Sequence, residues 1–325
     1  MRSTFTLTAA LLVLLSGFLA AQNQKRQHLN PVINLLEQNQ PVFGVYWPSN
    51  GGGRRGGEAP PPRPAIDLAK EALAYKSTDF LFSGSMEGGV DRGFAAYTEF
   101  VKALGDVGGP SKAPFFGLTR GIVVKTPKIA ADPAKAVDNI GRQLSVGASG
   151  VMFVEVESAE EVRQGLAAMR FKSKGGTRAD DVGTAPAVWG MSADEYKKKA
   201  DLWPLNPDGE LINWTIVESK EGLAHVREIA AVKGIGVLWP GAGTLRGVFS
   251  TTNAAGERVV DTVAHENAIQ QVLAACKEFK VPCGYPANAS DIETRMKQGF
   301  SVFVMNWGDA GFKAVETGRA ASGRR

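Results

Sequence analysis

The chain has 325 residues, 44% of them hydrophobic and 22% charged, with a formal net charge of +4. This balance describes a globular protein of one large domain or two ordinary ones and excludes a fibrous or wholly disordered chain. The charge is modest and spread out, with no basic run interleaved with aromatics, which argues against a nucleic-acid partner.

The first segment, MRSTFTLTAALLVLLSGFLAAQNQ, has one Arg, then an apolar run, then Ala20 and Ala21 before polar residues. It reads as an export signal over 1–21, cleaved near Ala21, which places the mature protein in the periplasm or outside the cell. The run is shorter than the ~20 residues of a spanning helix. No Cys at the junction offers a lipid anchor, so no stable membrane anchor is expected. Residues 22–40 form a polar N-terminal segment.

From residue 41 an alternation begins. PVFGVYW (41–47) reads as a strand, and GGGRRGGEAPPPRP (51–64) as an irregular loop. Helix patterns at 65–76, 94–104 and 132–147 precede the strands DFLFSG (79–84), GIVVKT (121–126) and GVMFVEV (150–156). SAEEVRQGLAAMR (158–170) opens with a Ser N-cap and early acids. In the second half, LINWTIVES (211–219), GIGVLWPG (234–241), VPCGYP (281–286) and SVFVMNW (301–307) are strands separated by helical patterns. Eight strands, mostly short unbroken apolar runs, alternate with helices. That is the pattern of parallel strands covered on both faces, and it predicts an α/β fold of the (β/α)8 (TIM) barrel type over 41–325. Residues 171–210 are too long for a plain connection. With Trp189, Tyr196 and Trp203 they are either a lid or substrate wall, or a structural insertion or subunit contact. Cys276 and Cys283 are too few for a zinc cluster or a disulfide framework. They pair in an oxidising compartment or remain buried thiols, and the sequence leaves both open.

A barrel gathers its chemistry at the carboxyl ends of the strands. Those ends carry Glu87, Lys125, Glu155, Glu157, Glu218, the turn Gly241-Ala242-Gly243-Thr244, and Asp309. The glycine-bracketed turn is suited to presenting backbone amides to a carboxylate. His28, His225 and His265 lie in the N-terminal segment or on helix faces, where surface or core roles are expected.

GIVVKTPKIAADPAKAVDNIGRQLSVGASGVMFVEVESAEEV resembles a segment of the HpcH/HpaI aldolases, which carries a basic residue, a Gly-Ala-x-Gly-Val strand and a Ser-Ala-Glu-Glu helix start. WTIVESKEGLAHVREIAAVKGIGVLWPGAGTLRG is similar to their Ile-Glu-Thr strand followed by a Gly-Pro-x-Asp-Leu turn, and VPCGYPANASDIETRMKQGFSVFVMNWGDAG to their closing strand. The resemblance runs from about 41 to 320 in consistent order. It implies a barrel that makes or breaks carbon–carbon bonds in a 2-oxoacid or related small carboxylate through an enolate, stabilised by Mg²⁺ or Mn²⁺. It implies a homo-oligomer as well, although no interface is readable.

Carried over residue by residue, the resemblance makes Glu218 the metal-binding Glu and Lys125 the cation that steadies the enolate. It makes Glu87 the proton-handling acid and Arg178, in GGTR, a residue of a loop beside the site. Three departures stand out. Thr244 occupies the place of the turn's metal-binding Asp, Gly88 that of a histidine, and Glu155 that of a proline. Glu155, one strand from Glu218, could supply the lost carboxylate. Three readings follow: a lyase with an altered site, a non-catalytic barrel that binds a small carboxylate, and an aldolase using Lys125 as a Schiff-base amine. The lyase is favoured because Glu87, a cation at 125 and Glu218 keep their order.

Overall fold

The computed structural model describes residues 27–49, 61–108 and 120–324. The expected export signal and most of the Gly/Pro-rich loop lie outside them. Eight parallel strands form a ring: β1 (Val42–Tyr46), β2 (Phe80–Ser83), β3 (Gly121–Thr126), β4 (Gly150–Phe153), β5 (Leu211–Val217), β6 (Val237–Pro240), β7 (Gly284–Tyr285) and β8 (Val302–Met305). β8 returns to β1 with Val302 opposite Val42. Between β6 and β7, Leu238 bridges Cys283, and its amide donates to the Pro282 carbonyl at 2.9 Å. The sheet is thereby closed, and the expected (β/α)8 barrel is the fold.

The unbroken apolar runs are explained by burial on both faces. Inside the ring, Phe80, Phe82, Met152, Trp214, Ile216, Trp239 and Val304 form one cluster. Outside it, the opposite strand faces and the helices form a second. Trp214 and Trp239 stack with centroids 5.6 Å apart in the barrel interior. This crowding leaves no room for a side chain at position 284, where a Cβ would lie 1.8 Å from the Trp239 ring. Glycine is the residue that lets β7 approach so closely.

Helices start where side chains cap their free amides. Asp132 accepts from the Lys135 amide to open Pro133–Val146, and Ser158 accepts from the Glu161 amide to open Ala159–Met169. The helical stretch after β5 divides into Lys220–Ala224 and Val226–Ala230 at His225, whose Nδ1 contacts the Glu157 carbonyl at 3.1 Å.

The bottom of the barrel is sealed by the N-terminal segment. Asn30 caps the helix Pro31–Glu37, and that helix sets Val32, Ile33 and Leu36 against the interior cluster. The insertion 171–210 lies at this same end. It follows a helix and precedes β5, so chain direction puts it at the amino ends of the strands, away from their carboxyl ends. Its contacts agree. Trp189 Nε1 donates to the Gly147 carbonyl, Trp203 Nε1 to Glu37, and Leu202–Trp203 adds a short strand beside the start of β5. The insertion is therefore structural, and the lid or substrate-wall reading is corrected.

Cys276, in the helix Thr262–Phe279, is disulfide-bonded to Cys283 just before β7. This resolves the alternative the sequence leaves open. Among the described residues, no helix is long and apolar enough to cross a membrane.

Candidate active site

The carboxyl ends of the strands surround a cavity of about 200 Å³. Its polar wall is made by Tyr46, Lys125, Glu218 and the turn Gly241–Thr244, and its apolar wall by Phe82, Met152, Ile216, Trp239, Pro286 and Val304. Residues from the ends of β1, β3, β5 and β6 thus converge on one small volume.

Lys125 leaves β3 and donates from Nζ to Glu87 Oε1 at 2.8 Å. An ammonium has three donors, so this pairing leaves two for a ligand. Glu87 does not line the cavity. Its link to the cavity is this ion pair with Lys125. Glu218, directly after β5, is buried and does line the cavity. Its Oε1 accepts the Glu155 backbone amide at 3.0 Å. Glu155 can aim that amide because its backbone is left-handed, with φ +51°, an uncommon conformation for a residue with a side chain. Its own side chain is exposed and does not line the cavity. The expectation that Glu155 replaces a missing carboxylate is therefore corrected: it contributes an N–H.

The turn after β6 is pinned at both ends, by the Gly241 amide on the Val217 carbonyl and the Leu245 amide on the Gly241 carbonyl. The amides of Ala242, Gly243 and Thr244 between them have no acceptor among the described residues. All three residues line the cavity at the start of the helix Ala242–Val248. His265 supports the turn from the helix Thr262–Phe279, with Nε2 2.8 Å from the Ala242 carbonyl. Glu218 packs directly under Gly241, where a Cβ would lie 2.3 Å from Glu218 Cβ and 2.7 Å from Oε2.

Several expected residues lie elsewhere. Arg178 is buried in the insertion with its guanidinium 3.6 Å over the Phe171 ring. It lines a separate hollow beside Arg142 and Thr184 that shares no residue with the cavity. Its placement beside the site is corrected, because the insertion sits at the opposite end of the barrel. Glu157 is held by Lys128 at 2.6 Å and by the Ser219 hydroxyl at 2.8 Å. These contacts, Lys128 first, hold its carboxyl below the usual range. Asp309 is exposed at the start of the last helix.

Mg²⁺ is commonly held by one or two carboxylates, with water and substrate oxygens completing an octahedron of about six ligands. Of the cavity's lining residues, Glu218 is the one carboxylate, with one oxygen already accepting an amide. The remaining side-chain oxygens belong to Tyr46 and Thr244, and a lysine cation shares the volume. Among the described residues, no three His, Cys, Asp or Glu side chains gather as a metal centre. A single carboxylate, already accepting an amide and sharing the volume with a lysine ammonium, is a poor fit to a resident Mg²⁺ or Mn²⁺. What the donor set does provide is a cation, a buried carboxylate and three amides without an acceptor among the described residues, on residues lining one cavity of about 200 Å³.

Two residues were missed by sequence reasoning. Tyr46 ends β1, but its sole local signal is an aromatic in an apolar run, which reads as core. His265 lies on a helix face and meets the turn only in the folded barrel.

Residues 114–305 match the family model described as HpcH/HpaI aldolase/citrate lyase. Over 219 residues the chain is 27% identical to the hydroxypyruvate/pyruvate aldolase of Paraburkholderia phytofirmans, covering 66% of this chain and 69% of the relative. Its fold is similar to that of an HpcH/HpaI aldolase/citrate lyase family protein from Burkholderia cenocepacia J2315, with TM-score 0.62 at 22% identity, covering 90% of this chain and 97% of that one. It is also similar to an HpcH/HpaI aldolase from Desulfitobacterium hafniense DCB-2, with TM-score 0.58 at 16% identity, covering 89% and 94%.

Proposed function

The chain belongs to the HpcH/HpaI aldolase/citrate lyase family, and from that premise we propose that it is a carbon–carbon lyase cleaving a 4-hydroxy-2-oxoacid to a smaller 2-oxoacid and an aldehyde. The observation that carries this reading is the convergence of Lys125, Glu218 and the Gly241–Thr244 amides on one cavity. The amides of Ala242, Gly243 and Thr244 hold the substrate carboxylate. Lys125, oriented by Glu87, faces the 2-oxo oxygen. Glu218 takes the proton of the 4-hydroxyl, the C3–C4 bond breaks, and its electron pair enters the enolate whose oxygen Lys125 holds. Protonation at C3 then releases the 2-oxoacid. In this reading Glu218, expected as a metal ligand, is the proton acceptor, and the cation supplies the electrostatic stabilisation.

The test is release of pyruvate from 4-hydroxy-2-oxoacids of graded length, read with a coupled dehydrogenase. Lys125→Met is expected to lower kcat/KM by roughly 10²–10³-fold, the usual cost of losing an oxyanion donor. No pyruvate from any member of the series would overturn the reading. Thr244, in place of an acid, favours a second reading as a non-catalytic carboxylate binder, for which pyruvate would raise the Tm without being turned over.

We further propose export, with cleavage near Ala21. The Cys276–Cys283 pair supports it, since disulfides persist in oxidising compartments.

A further inference from the structure

We propose that the Tyr46 hydroxyl is a catalytic hydrogen-bond donor, which together with Lys125 holds the enolate oxygen so that the reaction proceeds without a divalent cation. This inference rests on the lyase reading above. It starts from the donor set, in which one carboxylate and one lysine ammonium line the same cavity.

Tyr46 is placed by the barrel. It pairs with Phe82 across β1 and β2, and the two rings meet edge to face at 4.9 Å. The phenol is thereby fixed against the cavity wall. Next to it, Gly84 leaves a bare Cα over which three side chains gather. A Cβ there would lie 3.5 Å from Lys125 Cδ, 3.7 Å from Glu87 Oε2 and 3.9 Å from Tyr46 Cε1. Tyr46, Lys125 and Glu87 thus form one cluster on one side of the cavity, and Glu218 lines the same cavity.

Among the described residues the Tyr46 hydroxyl has no hydrogen-bond partner. Burial raises its pKa, with Lys125 opposing and Glu87 adding to the rise, so at neutral pH it is a donor. A phenol O–H and an ammonium N–H on one oxygen supply the fixed dipole and charge that an enolate requires. The bookkeeping closes within the site. Glu218 gains the hydroxyl proton, the C3–C4 pair becomes the enolate, and that proton is returned to C3.

The experiment uses the full mature chain. Cleavage is measured in excess EDTA and again with added Mg²⁺ or Mn²⁺, for wild type and Tyr46→Phe. Equal wild-type rates with and without metal, and a roughly 10²-fold fall in kcat at unchanged KM in Tyr46→Phe, are expected. Loss of activity in EDTA with recovery on Mg²⁺ would overturn the inference and leave the lyase reading intact. If no cleavage occurs under any condition the lyase reading fails, and binding of oxalate, a planar enolate mimic, decides about the cradle. Calorimetry in EDTA should then show wild-type binding that weakens about tenfold in Tyr46→Phe, the cost of one hydrogen bond to a charge. Equal affinities, or binding that requires Mg²⁺, would overturn it.

Discussion

Gly241 shows how one residue governs this site. Glu218 occupies the space a Cβ at 241 would take, at 2.3 Å from its own Cβ. Gly241→Ala must therefore displace the carboxylate or the turn. Since misplacing a catalytic group by about 1 Å costs about 10²-fold, kcat/KM should fall by at least that much, alongside the Tm loss of a few degrees that overpacking brings. A variant with wild-type kcat/KM would show that Glu218 tolerates displacement and is not the proton acceptor. At this scale the sequence was informative where chemistry is rare. Lys125 and Glu218 stand out as charges at the ends of apolar strands, and both line the cavity. Tyr46 was hidden because an aromatic at a strand end carries no such mark. Glu155 misled because its residue type advertises a carboxylate while its left-handed backbone delivers an amide.

Among the elements, the N-terminal helix is a plug held by a buried charge cluster. His28 lies 3.4 Å from Glu210 and 3.3 Å from Glu37, and the Asn30 amide donates to Glu210 at 2.9 Å. Burial opposes protonation of His28, but the two carboxylates outweigh it and raise the pKa. A raised folded pKa contributes stability that is fully present below the ordinary value of about 6.5 and is lost as pH rises through the folded value. As pH rises above about 6.5, wild type should lose more unfolding free energy than His28→Gln. Identical losses in denaturant titrations would show that the cluster does not couple to folding. The position of the insertion was legible in principle. It follows a helix and leads into a strand, and in a barrel every such connection lies at the end opposite the chemistry. Its aromatic content drew attention to a substrate role, but Trp189, Tyr196 and Trp203 are spent on packing against the bottom of the barrel.

For the whole molecule, the notable feature is where the ring closes. β6 and β7 meet through a single bridge at Leu238 and Cys283, and the disulfide to Cys276 clips the helix Thr262–Phe279 onto that seam. A sequence separation of 7 closes a short loop, worth about 2.5 kcal/mol in chain entropy. Reduction, or Cys283→Ser, should lower the Tm by several degrees. An unchanged Tm would mean the seam holds without its cross-link.

The architecture is legible in local patterns alone. Strand and helix periodicities are local, and unbroken apolar runs report burial on both faces, so eight alternating units could be counted and ordered. The sequence also marked the strand ends where chemistry belongs. The tertiary structure decided what those ends make together. Residues 46, 125, 218 and 241 are brought around one cavity by ring closure, which no local pattern records. Closure also set which carboxylate lines the cavity and which pairs with a lysine beside it, and it brought the two cysteines into one bond. The reason is physical. Burial along an element follows from its own sequence, whereas distances between elements follow from how all of them pack.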